Sequence, residues 1–124
     1  MLLAETKSTI YELKEGILIS RLKPDVEMSL EDVKQNAEVR SSLPISFPIP
    51  FLMDLRKMKG MSFNAIMATS SQEDIKKFSA AAILIDKLEH KIIAREAHRL
   101  HSAANPLKTF EDEEKAFAWI KRFV

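Results

Sequence analysis

Six consecutive apolar residues, Ala80, Ala81, Ala82, Ile83, Leu84 and Ile85, closed by Asp86, constrain this chain more than any other stretch. A run that never alternates with polar residues is the pattern of a strand covered on both faces, which belongs at the centre of a helix-clad sheet. The helical periodicity on either side supplies the covering layers. Lysine, glutamate and alanine in the segment 87–104 place Leu88, Ile92, Ile93, Ala97, Leu100 and Ala104 in one arc at about 100° per residue.

The rest of the chain is punctuated in the same way. Residues 8–13 and 17–22 are β-type runs split by Lys14-Glu15-Gly16, a polar turn with glycine available for a positive backbone angle, so they read as a hairpin. Pro24-Asp25 ends the second run. Ser29 with Asp32 three residues on predicts a helix N-terminus ahead of Val33 and Ala37, and this first helix ends near Arg40. Three prolines within 43–50 forbid a helix there, and a short buried strand follows over Phe51-Leu52-Met53-Asp54.

Ser62 then caps a second helix with Ala65, Ile66 and Thr69 inward. Ser71 with Asp74 predicts a fresh cap and a further helical stretch through Ile75 and Phe78, with a break near Ser70. Asn105-Pro106 ends the long helix, residues 107–110 form a last strand, and residues 112–123 form a final helix with acids first and bases last. Its inward residues are Ala116, Trp119 or Ile120, and Phe123. The alternation predicts an α/β fold with a mixed sheet of about five strands and about four helices.

Composition narrows the function. A chain of 124 residues, 46% hydrophobic, fits one domain over 1–124. Nineteen basic and eighteen acidic residues leave a net charge of +1, so the field that draws proteins onto phosphate backbones is missing and no nucleic acid is expected as partner. The longest apolar runs, 80–85 and 49–53, fall far short of the roughly 20 residues that span a bilayer, so no transmembrane segment is expected. Glu5 interrupts the apolar start before a signal-peptide core develops, which points to the cytoplasm. The absence of cysteine excludes disulfides, thiolate catalysis and sulfur-based zinc sites.

With this order laid out, Phe51-Leu52-Met53-Asp54 followed by Lys59-Gly60-Met61-Ser62 resembles the strand, loop and helix start of the STAS family, the sulfate-transporter and anti-anti-sigma-factor antagonist domains. It is similar in particular to small bacterial SpoIIAA-like or STAS/SEC14-like proteins. Further matches are Leu84-Ile85-Asp86, Pro106-Leu107-Lys108-Thr109-Phe110 and the stretch from Asp112 through Trp119 to Ile120. The resemblance covers nearly the whole chain and implies the topology β-β-α-β-α-β-α-β-α. Signalling members carry Asp-Ser-Ser-Gly or Asp-Ser-Thr-Gly at the start of the second helix, where phosphorylation blocks partner binding. Here Ser62 stands near that turn, while Phe63 and Asn64 replace the second hydroxyl and the glycine.

The candidate site therefore comprises Asp54, Lys59, Gly60, Met61, Ser62 and Phe63, binding a protein partner, with Ser62 as the regulatory hydroxyl. A helix N-terminus suits an added phosphate, and an ordinary N-cap explains the same serine. Asp54 either orients a ligand or closes a turn at a strand end. Met58, Met61 and Phe63 form a possible homodimer patch.

Other signals carry two readings each. His98 and His101 lie on one side of the long helix with His90 near them, but no acid or cysteine joins them at a zinc spacing, so a solvated face is expected and no metal. Lys87, Lys91, Arg95 and Arg99 make a basic strip that suits an anionic headgroup, an acidic partner or plain solvent. Glu96 falls between Ile92 and Leu100 in the apolar arc, marking either a pocket for a small molecule or lipid between the long helix and the sheet, or a pairing with a nearby base. No Gly-x-Ser-x-Gly elbow or glycine-rich phosphate loop occurs among two glycines in all, so neither an enzyme nor a cofactor is expected.

Overall fold

The computed structural model describes residues 1–69, 76–100 and 105–124. Its strands in chain order are β1 (Leu2–Glu5), β2 (Thr9–Lys14), β3 (Ile17–Leu22), β4 (Glu27–Met28), β5 (Ile49–Asp54), β6 (Gly60–Met61), β7 (Phe78–Leu84) and β8 (Leu107–Phe110). The helices are α1 (Leu30–Ser41), α2 (Phe63–Ala68), α3 (His90–Leu100) and α4 (Glu113–Ile120), the last running into a 3₁₀ turn, Lys121–Phe123. Six strands form one mixed sheet in the order β1-β2-β3-β5-β7-β8, antiparallel from β1 to β3 and parallel from β3 to β8.

The unbroken apolar run lies where its pattern places it, with β7 hydrogen-bonded between β5 and β8. Alternate residues serve opposite layers. Ala80, Ala82 and Leu84 join Ile17, Ile19 and Leu52 under Ala116 and Ile120 of α4. On the other face Ile83 and Ile85 join Leu22 and Leu55 under Val33 of α1, Ala65 of α2, and Ile93 and Ala94 of α3. The hairpin closes through Glu15 and Gly16, both with positive φ (51° and 81°), the backbone of a two-residue turn whose twist matches the strands. A side chain at Gly16 would sit 2.9 Å from Val124 Cγ1, an exposed terminal side chain that can shift, so it is the positive φ that favours glycine there.

The caps read at Ser29 and Ser62 hold, and Asp112 adds a third. Ser29 and Asp32 form a reciprocal capping box at α1, Ser62 caps α2 and Asp112 caps α4. Four expectations need correction. The apolar N-terminus is a sheet edge, because Leu2, Ala4 and Glu5 pair with β2. Residues 27–28 and 60–61 form a small second sheet of two parallel strands. Strand β5 begins at Ile49, ahead of Phe51, and tolerates Pro50 through a register irregularity between Ile49 and Pro50, the kind of break that spares a missing N–H. Phe78, expected in a helix, opens β7 and stacks its ring on Phe51 at 4.2 Å. The cap expected at Ser71 and Asp74 lies outside the described residues.

The long helix is also turned. It starts at His90, its buried line runs through His90, Ile93 and Ala94, and Leu88 and Ile92, expected inside, are 74% and 57% exposed. The cause is His90 itself: a polar residue fills a core position one turn before Ile93 and Ala94, and an arc drawn from apolar residues alone is centred too far round the wheel.

Candidate functional site at the carboxyl edge of the sheet

The parallel strands β3, β5 and β7 all end at one edge, and each candidate from 54 to 63 lies there. Asp54 closes β5. Its Oδ1 accepts from the backbone N–H of Arg56 at 3.1 Å, so it shapes the turn, and it accepts from the Arg56 Nε at 3.0 Å as well. Its Oδ2 accepts from Arg21 Nη1 on β3 at 2.8 Å and from Arg56 Nη2 at 3.1 Å. Both arginines also reach Glu113 Oε1 in the first turn of α4 at 2.8 Å, and Arg21 Nε donates to Glu12 Oε1 on β2 at 2.9 Å.

Three carboxylates and two guanidiniums thus tie β2, β3, β5 and α4 together. Burial alone would push the Asp54 carboxyl upward, but hydrogen bonds from the Arg56 side chain and backbone, together with Arg21, hold it below the usual carboxylate range. Hydrogen bonding from Arg21 lowers Glu113, against an opposing effect of burial. Burial works against the Arg21 charge, yet its bonds to Glu113, Glu12 and Asp54 more than offset that and raise its pKa. Every charge faces an opposite one, so the cluster is a clamp.

Sequence reading singled out Asp54 but not Arg21, Arg56, Glu12 or Glu113. One signal was available: Arg21 interrupts the apolar run 17–22, where a charge survives only with partners.

The neighbouring half of the edge is built differently. Leu55 and Met58 are fully buried, so the 55–61 loop is anchored by its own side chains, and Met58 cannot serve the exposed patch expected of it. Backbone bonds pin the loop to the strand before α1: Asp25 N–H to Lys57 O at 2.9 Å, Lys59 N–H to Val26 O at 2.9 Å, and Ser62 N–H to Met28 O at 3.0 Å. His90, expected on a solvated face, is also fully buried, and its Nε2 donates to the Met58 carbonyl at 3.1 Å. Lys87 Nζ reaches the same carbonyl at 3.4 Å. The start of α3 is in this way fastened to the loop that leads into α2.

On this frame the candidates are displayed unequally. Gly60 and Met61 are half-buried in β6, and Lys59 is exposed with Glu27 at 3.9 Å. The exposed Ser62 hydroxyl accepts from the Ala65 N–H at 3.3 Å and donates to Asn64 Oδ1 at 2.7 Å. Phe63 is 78% exposed and Met67, one turn on, 44%. Helix α3 contacts α2, and Leu88 in the turn before it and Ile92 in its first turn are exposed as well. Away from the chain ends, these four are the large hydrophobic side chains left exposed among the described residues.

Farther along α3, Glu96 is tied to Arg99 at 3.1 Å on the helix surface, and His98 shares a hydrogen bond with Thr109 at 3.1 Å. His101 lies outside the described residues. Among the described residues no group of three or more His, Asp or Glu side chains converges to hold a metal, and no helix is long and apolar enough to cross a membrane.

A mixed sheet with α4 on one face and α1, α2 and α3 on the other is a SpoIIAA-like fold. The crystal structure of an uncharacterized protein from the DUF3478 family of Shewanella loihica PV-4, described as having a SpoIIAA-like fold, superposes with a TM-score of 0.63. The alignment covers 97% of this chain and 92% of that one at 21% identity. Residues 11–124 match the domain of unknown function DUF7793, and the chain belongs to that family. No curated protein matches it.

Proposed function

We propose that this protein is a non-catalytic regulatory module that binds a protein partner through the 55–61 loop, the start of α2 and the adjoining face of α3. The observation that carries this reading is the exposure of Phe63 and Met67 on α2 and of Leu88 and Ile92 at the start of α3, the two helices being in contact. Exposed aromatic and aliphatic side chains concentrated in one region mark recognition surfaces, whereas scattered ones carry no such meaning. Lys57, Lys59, Lys87 and Lys91, exposed in the loop before α2 and around the start of α3, would supply charge at the edge of such a surface. Ser62 supports a regulatory role, since its hydroxyl is exposed beside Phe63 and an added phosphate would place negative charge next to the patch and the free N–H groups of α2.

The test is affinity capture from the native cell with wild type, Phe63→Asp and Ser62→Glu as baits. A partner retained by wild type and lost by Phe63→Asp supports the surface, and its additional loss with Ser62→Glu supports the switch. Identical captures by all three remove both.

A further inference from the structure

The face of the sheet under α1 and α2 is not fully filled. On β5, Phe51, Leu52 and Asp54 are buried, yet Met53 between them keeps solvent access although its strand lies in the middle of the sheet. The reason is the inward stripe of α1, which reads Val33, Asn36, Arg40: two polar residues stand where a helix on a sheet ordinarily carries leucine or isoleucine. Between that stripe, β3 and Met61 of β6 lies a cavity of about 50 Å³.

Most polar groups around it already have work. The Asn36 amide donates to Ser8 and Thr9 at 3.0 Å each and accepts from Thr6 at 2.7 Å, and Arg40 Nη1 donates to the Tyr11 hydroxyl at 3.1 Å. Ser20 is the exception. It lies on β3 opposite Tyr11 and Met53, is 3% exposed, lines the cavity, and makes no side-chain hydrogen bond among the described residues. Its hydroxyl is not sealed off from that space, so whatever fills the cavity meets a hydroxyl that has no bond to the described residues.

We propose that this cavity is a binding site for a small molecule that carries an oxygen acceptor, a carboxylate or carbonyl, on a short apolar body. Among the described lining residues there are hydroxyls and a guanidinium but no carboxylate, which favours an acceptor and disfavours a cation. Met28, Met53 and Met61 supply the apolar walls, and unbranched methionines adapt to the shape of what enters. The space is smaller than the roughly 150 Å³ void that takes a benzene ring, which limits the ligand to a few heavy atoms until the half-buried Met53 and Met61 side chains swing outward. Because Met61 also leads into α2, an occupant touches the strand that carries the proposed partner surface.

The experiment is a nitrogen-15 NMR titration of the full chain with acetate, butyrate and hexanoate, and with butylamine as the cation of matched size. At least one carboxylate is expected to shift the amide signals of Ser20, Met53 and Met61 saturably, while butylamine does not. Ser20→Ala is expected to weaken that binding about tenfold, the loss of one hydrogen bond to a charged group. Absence of a saturable shift with every carboxylate, equal binding by butylamine, or unchanged affinity in Ser20→Ala overturns the proposal and leaves a cavity that holds water only. Should Ser20→Ala not fold, Met61→Phe, which narrows the mouth, replaces it: reduced binding supports the site and unchanged binding refutes it.

Discussion

At the carboxyl edge of the sheet, β3 and β5 end in charged side chains that consume one another, whereas the adjacent stretch from β6 to α3 leaves large apolar side chains in water. Arg21, Arg56, Asp54, Glu113 and Glu12 meet at 2.8–3.1 Å and tie four elements together. Phe63, Met67, Leu88 and Ile92 meet no such cover, although the backbone beneath them is held by buried Leu55, Met58 and His90. The contrast separates stability from recognition: one half of the edge pairs its charges within the fold, and the other half holds a rigid base under an unsatisfied surface.

The first way to break this contrast is Asp54→Ala. The side chain is only 8% exposed and accepts from both guanidiniums, so its removal leaves Arg21 with Glu113 and Glu12, and Arg56 with Glu113 alone, at a partly buried site. The arginines keep about a third of their side-chain exposure, which places the expected loss at the low end for a broken buried pair, about 3 kcal/mol. Urea denaturation measures it, and a loss comparable with an exposed ion pair would show the clamp to be ornamental.

The same clamp sets an acid dependence. Asp54 and Glu113 both titrate below their ordinary values in the folded chain, so each contributes stability that is present above the unfolded carboxylate pKa of about 4 and is lost as pH falls through the lower folded value. Wild type should therefore lose stability on acidification below about pH 4 more steeply than Asp54→Asn, which has one fewer such group. Denaturation midpoints followed across that interval decide the matter, and parallel curves would remove Asp54 from the linkage.

Phe63→Asp probes the other half with the opposite signature. An exposed side chain with little to lose on the folded side should change folding stability by no more than about 0.5 kcal/mol. As the most exposed aromatic of the patch, it should cost partner binding on the order of 2 kcal/mol, more than a tenfold loss of affinity. Comparing the melting temperature with the yield of captured partner separates the two effects. A variant that melts early but still binds would reverse the assignment of the two halves.

Which parts of this arrangement were legible in the sequence follows from the range of the forces involved. Caps at Ser29 and Ser62, the Glu15-Gly16 turn and the apolar run of β7 from Ala80 to Leu84 are decided within a few residues, and each was readable. The β4–β6 pairing joins two residues to two others across α1, too short a signal for any periodicity. Strand β1 has four residues, and the sheet to which it adds an edge is only implied by the run at 8–13. The clamp joins Arg21 to Asp54 and Glu113 across separations of 33 and 92 residues, so each member taken alone resembles an ordinary surface charge. Buried His90 misled the reading of α3, because apolar periodicity does not count an imidazole as core. Met58 was placed outside for the converse reason: a methionine amid lysines reads as exposed until the loop is known to fold back.

The smallest effect belongs to Ser62, where the two halves come closest in kind. Its hydroxyl accepts from the Ala65 N–H, and a cap of this type is worth about 1 kcal/mol to the helix it opens. Helix α2 has only six residues and part of its holding force comes from buried Ala65, so Ser62→Ala should loosen α2 locally by about 1 kcal/mol or less, with a smaller change in global unfolding. Hydrogen exchange of the α2 amides reads the local term. Ser62→Asp keeps an acceptor at the cap and places a negative charge at the helix start, so it should restore the protection lost in Ser62→Ala. Since the two variants differ in charge while only alanine loses the cap, a partner lost with aspartate and kept with alanine assigns the regulation to charge. The reverse pattern assigns it to the order of the helix.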